Sequence, residues 1–242
     1  MRKFGLIGKN IDYSFSRTYF KQKFDHENIN ADYDNYDCPD ETTVKKLFKE
    51  KNDIIGFNVT IPYKQVVMKC MSEMNKHALA IGAVNTIKKL PDGKYKGYNT
   101  DYIGFTESIK PFLKSYHKYA LILGTGGAAK AIMYSFDLMD ISYKVVSRMP
   151  KGNQITYNDI DGRMLSKYQV IVNCTPLGTY PDIKKAPQLP YHLLTNKNLL
   201  YDLVYNPTET QFLKNGKANG AQVTNGFEML KLQAEAAWNI WN

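Results

Sequence analysis

The chain has 242 residues, 43% of them apolar and 23% charged, which is typical of a soluble globular protein with a sizeable core. Its net charge is +9, but the 32 Lys and Arg are scattered rather than clustered, which argues against a nucleic-acid-binding module and is compatible with anionic ligands. No apolar run approaches the roughly 18 residues that span a bilayer, and the start has no signal-peptide pattern. Three distant cysteines and four isolated histidines predict a reduced, cytoplasmic protein without a metal site and without a membrane partner.

The first half alternates predicted strands and helices. Patterns predict strands at 4–7, 31–36 and 53–60, helices at 17–27, 42–50 and 66–80, and a hairpin of strands 84–90 and 94–98. The hairpin turn is Pro91-Asp92-Gly93, and Ser16 is placed to cap the first helix. A further helix, 101–113, leads out of this half.

The second half reads as a parallel sheet. Its predicted elements are strands 119–123, 142–146, 168–173 and 199–204, a helix at 128–138 and a last helix at 227–241. Strand, helix and strand in succession predict crossover helices on a parallel sheet. The last helix carries an apolar stripe, which we expect to pack back on the first half.

A glycine-rich turn joins the strand at 119–123 to the following helix. Gly124, Thr125, Gly126, Gly127 and Ala128 begin a G-x-G-x-x-A pattern in the strand–helix context where such loops bind a pyrophosphate. The alternative is a tight turn without a ligand. We therefore expect these five residues to bind a dinucleotide.

The end of the next strand indicates which dinucleotide. Ser147 and Arg148 follow that strand, Lys151 is nearby, and no acid is available for a ribose 2′-hydroxyl. A guanidinium suits a 2′-phosphate, so NADP(H) is favoured over NAD(H). The alternative is an ordinary surface arginine.

The predicted fold class is α/β, with an N-terminal α/β substrate lobe, a Rossmann-like dinucleotide-binding lobe and a cleft between them. We assign residues 1–100 to the substrate-binding and catalytic domain, with the helix 227–242 packing back on it. Residues 101–226 then form the NADP-binding domain.

Two residues of the first half supply candidate acid–base chemistry. Lys64 ends the segment Asn-Val-Thr-Ile-Pro-Tyr-Lys just past a predicted strand, and Asp101 follows Asn-Thr at a helix start. Removing a hydride from a secondary alcohol requires a positioned base for the hydroxyl proton. Either residue can serve, and each taken singly is also an ordinary surface or helix-start residue.

Other polar residues stand where a ligand is expected. Ser14 and Ser16 alternate in a segment predicted to be extended, so both hydroxyls can face one carboxylate, unless Ser16 is only a helix cap. Gln233 has apolar helical neighbours and needs a partner, either a substrate hydroxyl or a backbone group. Tyr205 follows a strand at the ligand-binding edge, before a predicted capping box of Thr208 and Gln211.

The ordered motifs resemble those of the shikimate dehydrogenase family over residues 4 to about 240. They are S-x-S, N-V-T-x-P-x-K, G-A-V-N-T, N-T-D, G-x-G-G-A, N-x-T-P-L-G, Y-D-x-x-Y-N-P and G-x-x-M-L-x-x-Q-A. The resemblance implies NADPH-dependent, reversible reduction of 3-dehydroshikimate to shikimate in chorismate and aromatic amino acid biosynthesis. It implies a small-molecule substrate and leaves a monomer or a homodimer open.

The resemblance also implies residue roles. Lys64 and Asp101 would be the catalytic pair at the C3 hydroxyl, and Ser14 and Ser16 would hold the substrate carboxylate. The substrate hydroxyls would be bound by Thr60, Asn85, Asp101, Tyr205 and Gln233. The coenzyme would be bound by Gly124, Thr125, Gly126, Gly127, Ala128, Ser147, Arg148, Leu203 and Gly226.

The chain departs from the family pattern at several positions. Arg17 stands where the family usually has proline, and Tyr102 where it usually has glycine. A later coenzyme-binding arginine is missing, and Lys151 is a candidate replacement. Quinate or dual quinate/shikimate dehydrogenase activity is the nearest alternative, and a catalytically silent NADP-binding sensor is a remote one.

Overall fold

The structure is a computed structural model that describes residues 1–12, 14–51 and 53–242; Tyr13, within the serine segment, and Asn52 lie outside the described residues. The chain divides into two compact units, one of residues 1–101 with 233–242 and one of residues 102–232. The division falls beside the predicted boundary at residue 100. The last helix, predicted to belong wholly to the first domain, is shared between the units at Leu232 and Gln233.

The first unit is built on a six-stranded mixed sheet. Its elements are β1 (Arg2–Gly8), α1 (Phe15–His26), β2 (Ala31–Asp37), α2 (Glu41–Glu50), β3 (Ile54–Val59), β4 (Glu73–Met74), α3 (Lys76–Ile81), β5 (Thr86–Lys89) and β6 (Tyr95–Tyr98). The strand order is β2-β1-β3-β5-β6-β4. The β2–β1–β3 core is parallel, whereas β5 pairs antiparallel with β3 and β6. The predicted hairpin is thereby confirmed.

One stretch of the first unit differs from its predicted helix at 66–80. A 3-10 helix occupies Val66–Cys70, and β4 and α3 follow it. The backbone amides of Ser72 and Asn75 donate to Tyr95 O and Gly97 O at 2.9 Å, which draws this stretch onto the sheet edge. The side chain of Asn75 then caps α3 by accepting from the His77 amide.

The second unit contains a five-stranded, wholly parallel sheet. Its elements are α4 (Asp101–Ile109, whose first residue belongs to the first unit), β7 (Tyr119–Leu123), α5 (Gly127–Leu138), β8 (Ser142–Val146), α6 (Gly162–Lys167), β9 (Val170–Asn173), β10 (Leu199–Asp202), α7 (Gln211–Ala218), β11 (Gln222–Asn225) and, as far as Leu232, α8 (Phe227–Trp241). The strand order is β11-β10-β9-β7-β8. The two-domain α/β fold class is confirmed, while α6 and β11 were not predicted.

The strand order places a switch point at the end of β7. From β7 the chain adds β8 on one side and then returns to add β9 on the other. Ligands of open α/β sheets bind outside the carboxyl ends of the strands at such a point. The glycine turn after Leu123 and the loop after Asn173 both begin there, because these two residues pair in register.

Candidate active site

Lys64 and Asp101 form a direct ion pair in the first unit. Lys64 Nζ lies 2.7 Å from Asp101 Oδ2, and the two side chains are 16% and 3% exposed. The Lys64 carbonyl accepts from the Val84 amide at 2.7 Å, which fixes the backbone beyond β3. Among the described residues, Asp101 is the hydrogen-bond partner of the ammonium, so two of its three protons are available to a ligand.

Asp101 is held from two sides at the start of α4. Its amide donates to Asn99 Oδ1 at 3.0 Å, and Asn99 Nδ2 donates to Ala83 O at 3.0 Å. Its second oxygen, Oδ1, accepts from Asn85 Nδ2 at 2.9 Å. Each carboxylate oxygen therefore has a partner, and the carboxylate presents Lys64 in one fixed direction.

Gln233 meets a side chain rather than only backbone. Its Oε1 accepts from Asn85 Nδ2 at 3.0 Å, although the two residues are 148 positions apart. Asn85 is oriented by the Thr100 amide, which donates to its Oδ1 at 2.6 Å. With Oε1 engaged, Gln233 Nε2 has no hydrogen-bond partner within the described part of the chain. The structure thus brings Lys64, Asp101, Asn85 and Gln233 together.

Ser14 and Ser16 do not alternate along an extended segment, and that prediction is wrong. Helix α1 begins at Phe15, so Ser14 is the cap, accepting from the Arg17 amide at 3.3 Å and donating to Asn35 at 2.9 Å. Ser16 lies in the first turn of α1, near the buried phenol of Tyr33, whose hydroxyl donates to Asn58 Oδ1 at 2.8 Å and whose pKa burial raises. Both serines nevertheless stand at one helix N-terminus, which favours a carboxylate.

Thr60 lies at the carboxyl end of β3. Its amide donates to Ile7 O at 2.9 Å, which places it beside the end of β1. Its carbonyl accepts from the Tyr63 amide at 2.9 Å, which begins the turn toward Lys64. Thr60 is half-buried. Its predicted contact with a substrate hydroxyl stays a prediction.

The glycine turn in the second unit suits a dinucleotide. Gly124 has φ +109°, and a Cβ there would lie 3.2 Å from Thr175 Cγ2, so only glycine fits. Gly126 is the N-cap of α5, without a capping side chain and with no heavy atom within 4 Å of a Cβ position. The first amides of α5, at Gly127 and Ala128, thus begin a helix that has no side-chain cap, beside the exposed Thr125.

The loop after β8 carries cations and no carboxylate. Ser147 donates its amide to Ile155 O at 2.8 Å, and its hydroxyl accepts from the Met149 amide at 3.1 Å. These two hydrogen bonds close the loop, in which Arg148 and Lys151 are exposed. The next acidic residue in the chain is Asp159. This donor set fits a 2′-phosphate.

The remaining predicted residues lie beyond β10 in the second unit. The backbone of Gly226 lies so close to Leu203 O that a Cβ would collide with it. These two predicted nicotinamide neighbours are therefore in contact. Tyr205 is half-buried, two residues beyond Leu203.

A buried carboxylate at the end of β10 had no predicted role. Asp202 accepts from Asn173 Nδ2 at 2.9 Å, the Val204 amide at 3.0 Å and Thr210 Oγ1 at 2.5 Å. Thr210, not the predicted Thr208, caps α7, because its hydroxyl also accepts from the Leu213 amide. An acid ending the apolar strand Leu-Leu-Tyr-Asp was the signal in the sequence.

Asp202 should make stability fall as pH rises. Burial raises its pKa from 3.8 to about 6, against the lowering effect of its three donors. Protonation of Asp202 stabilises the folded state fully at a pH below the pKa that Asp202 has in the unfolded chain. This stabilisation is lost as pH rises through 6. The difference between the two pKa values corresponds to about 3 kcal/mol.

Urea unfolding of the wild type and Asp202→Asn from pH 4 to 7 measures this effect. The unfolding free energy of the wild type should decrease relative to the variant by about 2 kcal/mol over that range, because the rest of the effect lies below pH 4. Parallel pH profiles for the two proteins would contradict the assignment.

Two negative findings apply to the described residues. None of their helices combines the length and apolar character needed to cross a membrane. They also contain no group of three or more His, Cys, Asp or Glu side chains arranged to hold a metal ion.

Comparison with known proteins identifies relatives along the whole chain. The profile described as "Shikimate dehydrogenase substrate binding domain" matches residues 6–87. The curated protein "Shikimate dehydrogenase (NADP(+))" of Clostridium botulinum is 37% identical, covering 98% of this chain and 95% of that protein.

Solved structures agree with the sequence relatives. A shikimate dehydrogenase crystallised in complex with NADP+ has a TM-score of 0.88 at 32% identity, covering 100% of this chain and 90% of that one. Shikimate 5-dehydrogenase of Thermus thermophilus, in complex with NADP(H) and shikimate, has a TM-score of 0.87 at 27% identity, covering 100% and 94%. With these relatives and the site geometry, the chain belongs to the shikimate dehydrogenase family.

Proposed function

We propose that this chain catalyses the NADP-dependent, reversible reduction of 3-dehydroshikimate to shikimate by hydride transfer at C3. The step belongs to chorismate and aromatic amino acid biosynthesis. The observation that carries the proposal is the 2.7 Å Lys64–Asp101 pair, held by amides within a chain of this family. The three free cysteines support a cytoplasmic location.

The acid–base chemistry falls to Lys64. Bound NADP(H) supplies or accepts the hydride at nicotinamide C4. In the reductive direction, Lys64 donates one of its two available protons to the oxygen at C3; in the oxidative direction, its neutral amine takes the hydroxyl proton. Asp101 Oδ2 accepts a hydrogen bond from the third N–H of the ammonium and so orients the nitrogen.

We assign substrate recognition to polar side chains and to one helix N-terminus. Gln233 Nε2 donates to a ring hydroxyl, while Asn85 fixes the Gln233 amide through Oε1. The N-terminus of α1, with Ser14 and Ser16, receives the carboxylate. Thr60 and Tyr205 complete the proposed set of hydroxyl ligands.

Coenzyme recognition uses the amino end of α5 and the loop after β8. The amides from Gly124 to Ala128 bind the pyrophosphate, with Leu203 and Gly226 beside the nicotinamide. Arg148 binds the 2′-phosphate, assisted by Ser147 and by Lys151. Phosphate groups prefer such charge-assisted donors.

Replacing Arg148 by alanine should therefore weaken NADPH binding by about 10–100-fold, the effect of losing a charged hydrogen bond. NADH, which lacks the 2′-phosphate, should bind as it does to the wild type. Fluorescence titration with both coenzymes measures the two affinities. Arg163→Ala, an exposed arginine in α6, is the matched control. Equal losses for NADPH and NADH would remove Arg148 from this role.

The reaction is tested by assaying shikimate and quinate against NADP+ and NAD+. The proposal predicts the highest kcat/KM for shikimate with NADP+. Quinate differs by a hydroxyl and ring saturation, so higher kcat/KM with quinate would establish the alternative activity. Coenzyme binding without turnover of either substrate would instead indicate the silent sensor.

A further inference from the structure

Asp202 lies on the ligand-binding edge of the second sheet. It ends β10 and pairs in register with Asn173, which ends β9. Both side chains are fully buried. The carboxylate is therefore the point where two loops at the carboxyl edge are joined.

One side of this network leads to the glycine turn. Because Asn173 Nδ2 donates to Asp202, its Oδ1 is turned toward Thr175, accepting from the Thr175 amide at 3.0 Å and hydroxyl at 2.7 Å. The Thr175 methyl in turn packs against Gly124. The orientation of one amide thus fixes the loop that supports the glycine turn.

The other side leads to the loop beyond β10. Val204 donates its amide to Asp202 Oδ1, and Thr210 donates its hydroxyl to Oδ2. Leu203 donates its amide to Asn173 O at 3.0 Å and contacts Gly226. Leu203, one of the two residues proposed to lie beside the nicotinamide, therefore stands between Asp202 and Val204, which the carboxylate joins.

We propose that Asp202 is a positioning residue for the coenzyme, which holds the loops after β9 and β10 in the arrangement that binds the nicotinamide half of NADP(H). The inference rests on the proposed function only in taking NADP(H) as the ligand. Asp202 acts through Asn173, Val204 and Thr210 and does not touch the reacting atoms.

Asp202 is the group of this network whose pKa lies near neutrality, at about 6. Cys174 and Tyr191 are the titratable described residues whose pKa values its charge raises, and burial raises both further. Both are therefore uncharged through neutral pH. The network depends on hydrogen bonds to Asp202 rather than on an ion pair.

NADPH affinity of the full chain, measured by fluorescence titration without substrate, tests the proposal. Asp202→Ala should weaken binding by about tenfold or more, because three buried donors lose their acceptor. Asp202→Asn should stay within about threefold, because its oxygen still accepts from Asn173 and Val204 and its amide donates to Thr210. An equal loss in both variants, or none in Asp202→Ala, would overturn the proposal.

Asn198→Ala is the matched control. Asn198 precedes β10 at its opposite end, is buried, accepts from the Thr195 amide at 2.8 Å and donates to Leu165 O at 3.0 Å. Its loss should lower Tm but leave NADPH affinity unchanged. If Asn198→Ala weakens NADPH binding as much as Asp202→Ala, the role of Asp202 is only structural.

A second variant keeps the test decisive if Asp202→Ala does not fold. Thr210→Val removes the donor to Oδ2 while keeping side-chain volume, and should weaken NADPH binding several-fold. In kinetics, KM for NADPH should rise more than KM for shikimate. Unchanged NADPH binding in Thr210→Val would contradict the inference, whereas a wild type that binds no NADPH would contradict the proposed function itself.

Discussion

Replacing Lys64 by alanine is expected to lower kcat by about 10²–10⁴-fold, the usual contribution of a positioned acid or base. The ammonium, 2.7 Å from the Asp101 carboxylate, holds two protons free for a ligand, and an alanine side chain supplies none. KM for shikimate and affinity for NADP+ should change much less, since other residues make those contacts. Initial rates from nicotinamide absorbance and coenzyme titration measure the three quantities.

Lys49→Ala is the control for this variant, because Lys49 is an exposed lysine of the same unit and should retain full turnover. Asp101→Asn should retain the hydrogen bond to Lys64 but weaken its orientation, giving an intermediate kcat. Near-normal kcat in Lys64→Ala would falsify the acid–base role.

Replacing Trp241 by alanine is expected to lower the free energy of unfolding by about 3–5 kcal/mol, as for other buried tryptophans. Its ring is 5% exposed and stacks on Phe4 with centroids 4.7 Å apart. Its Nε1 donates to Ile87 O at 2.9 Å, and Gly56 makes room for the indole. Truncation therefore leaves a cavity and removes a hydrogen bond to the Ile87 carbonyl.

Urea unfolding measures the loss, and Trp238→Ala supplies the comparison on the same helix. Trp238 is only half-buried, with its ring edge on Phe4 at 5.6 Å, so its loss should cost less than half as much. Equal destabilisation by the two substitutions would refute the importance assigned to the Trp241 site.

Elements governed by local chemistry were predictable from the sequence. The strand at 119–123, the glycine turn and the following helix depend on residues adjacent in the chain. In the hairpin, Asp92 accepts from the Lys94 amide at 3.0 Å and Gly93 adopts φ +84°. Such turns follow from the residues that compose them.

Elements governed by distant partners were not predictable. The helical pattern at 66–80 is overridden by sheet-edge hydrogen bonds donated to the carbonyls of Tyr95 and Gly97, about twenty residues away. Ser14 and Ser16 are equally good caps in sequence, but Ser14 has an additional partner in Asn35 on β2. Local propensity therefore predicts a continuous helix at 66–80 that does not form, and a helix cap at Ser16, two residues after the observed cap.

In the candidate site, too, local features were predictable from the sequence and contacts between distant residues were not. An isolated amide on an apolar helix face indicated that Gln233 needs a partner, but not that the partner is Asn85. The Lys64–Asp101 pair was inferred from motif order. Asp202 was missed because its importance depends on the register of β9 and β10, which the sequence does not display.

The central claim is that hydride leaves C3 of shikimate while the proton of the C3 hydroxyl passes to Lys64. Shikimate deuterated at C3, oxidised by the wild type with NADP+, tests this most directly. We predict that deuterium appears at C4 of the nicotinamide and that oxidation is slower than with unlabelled shikimate. Reduced coenzyme that carries no deuterium would contradict the account.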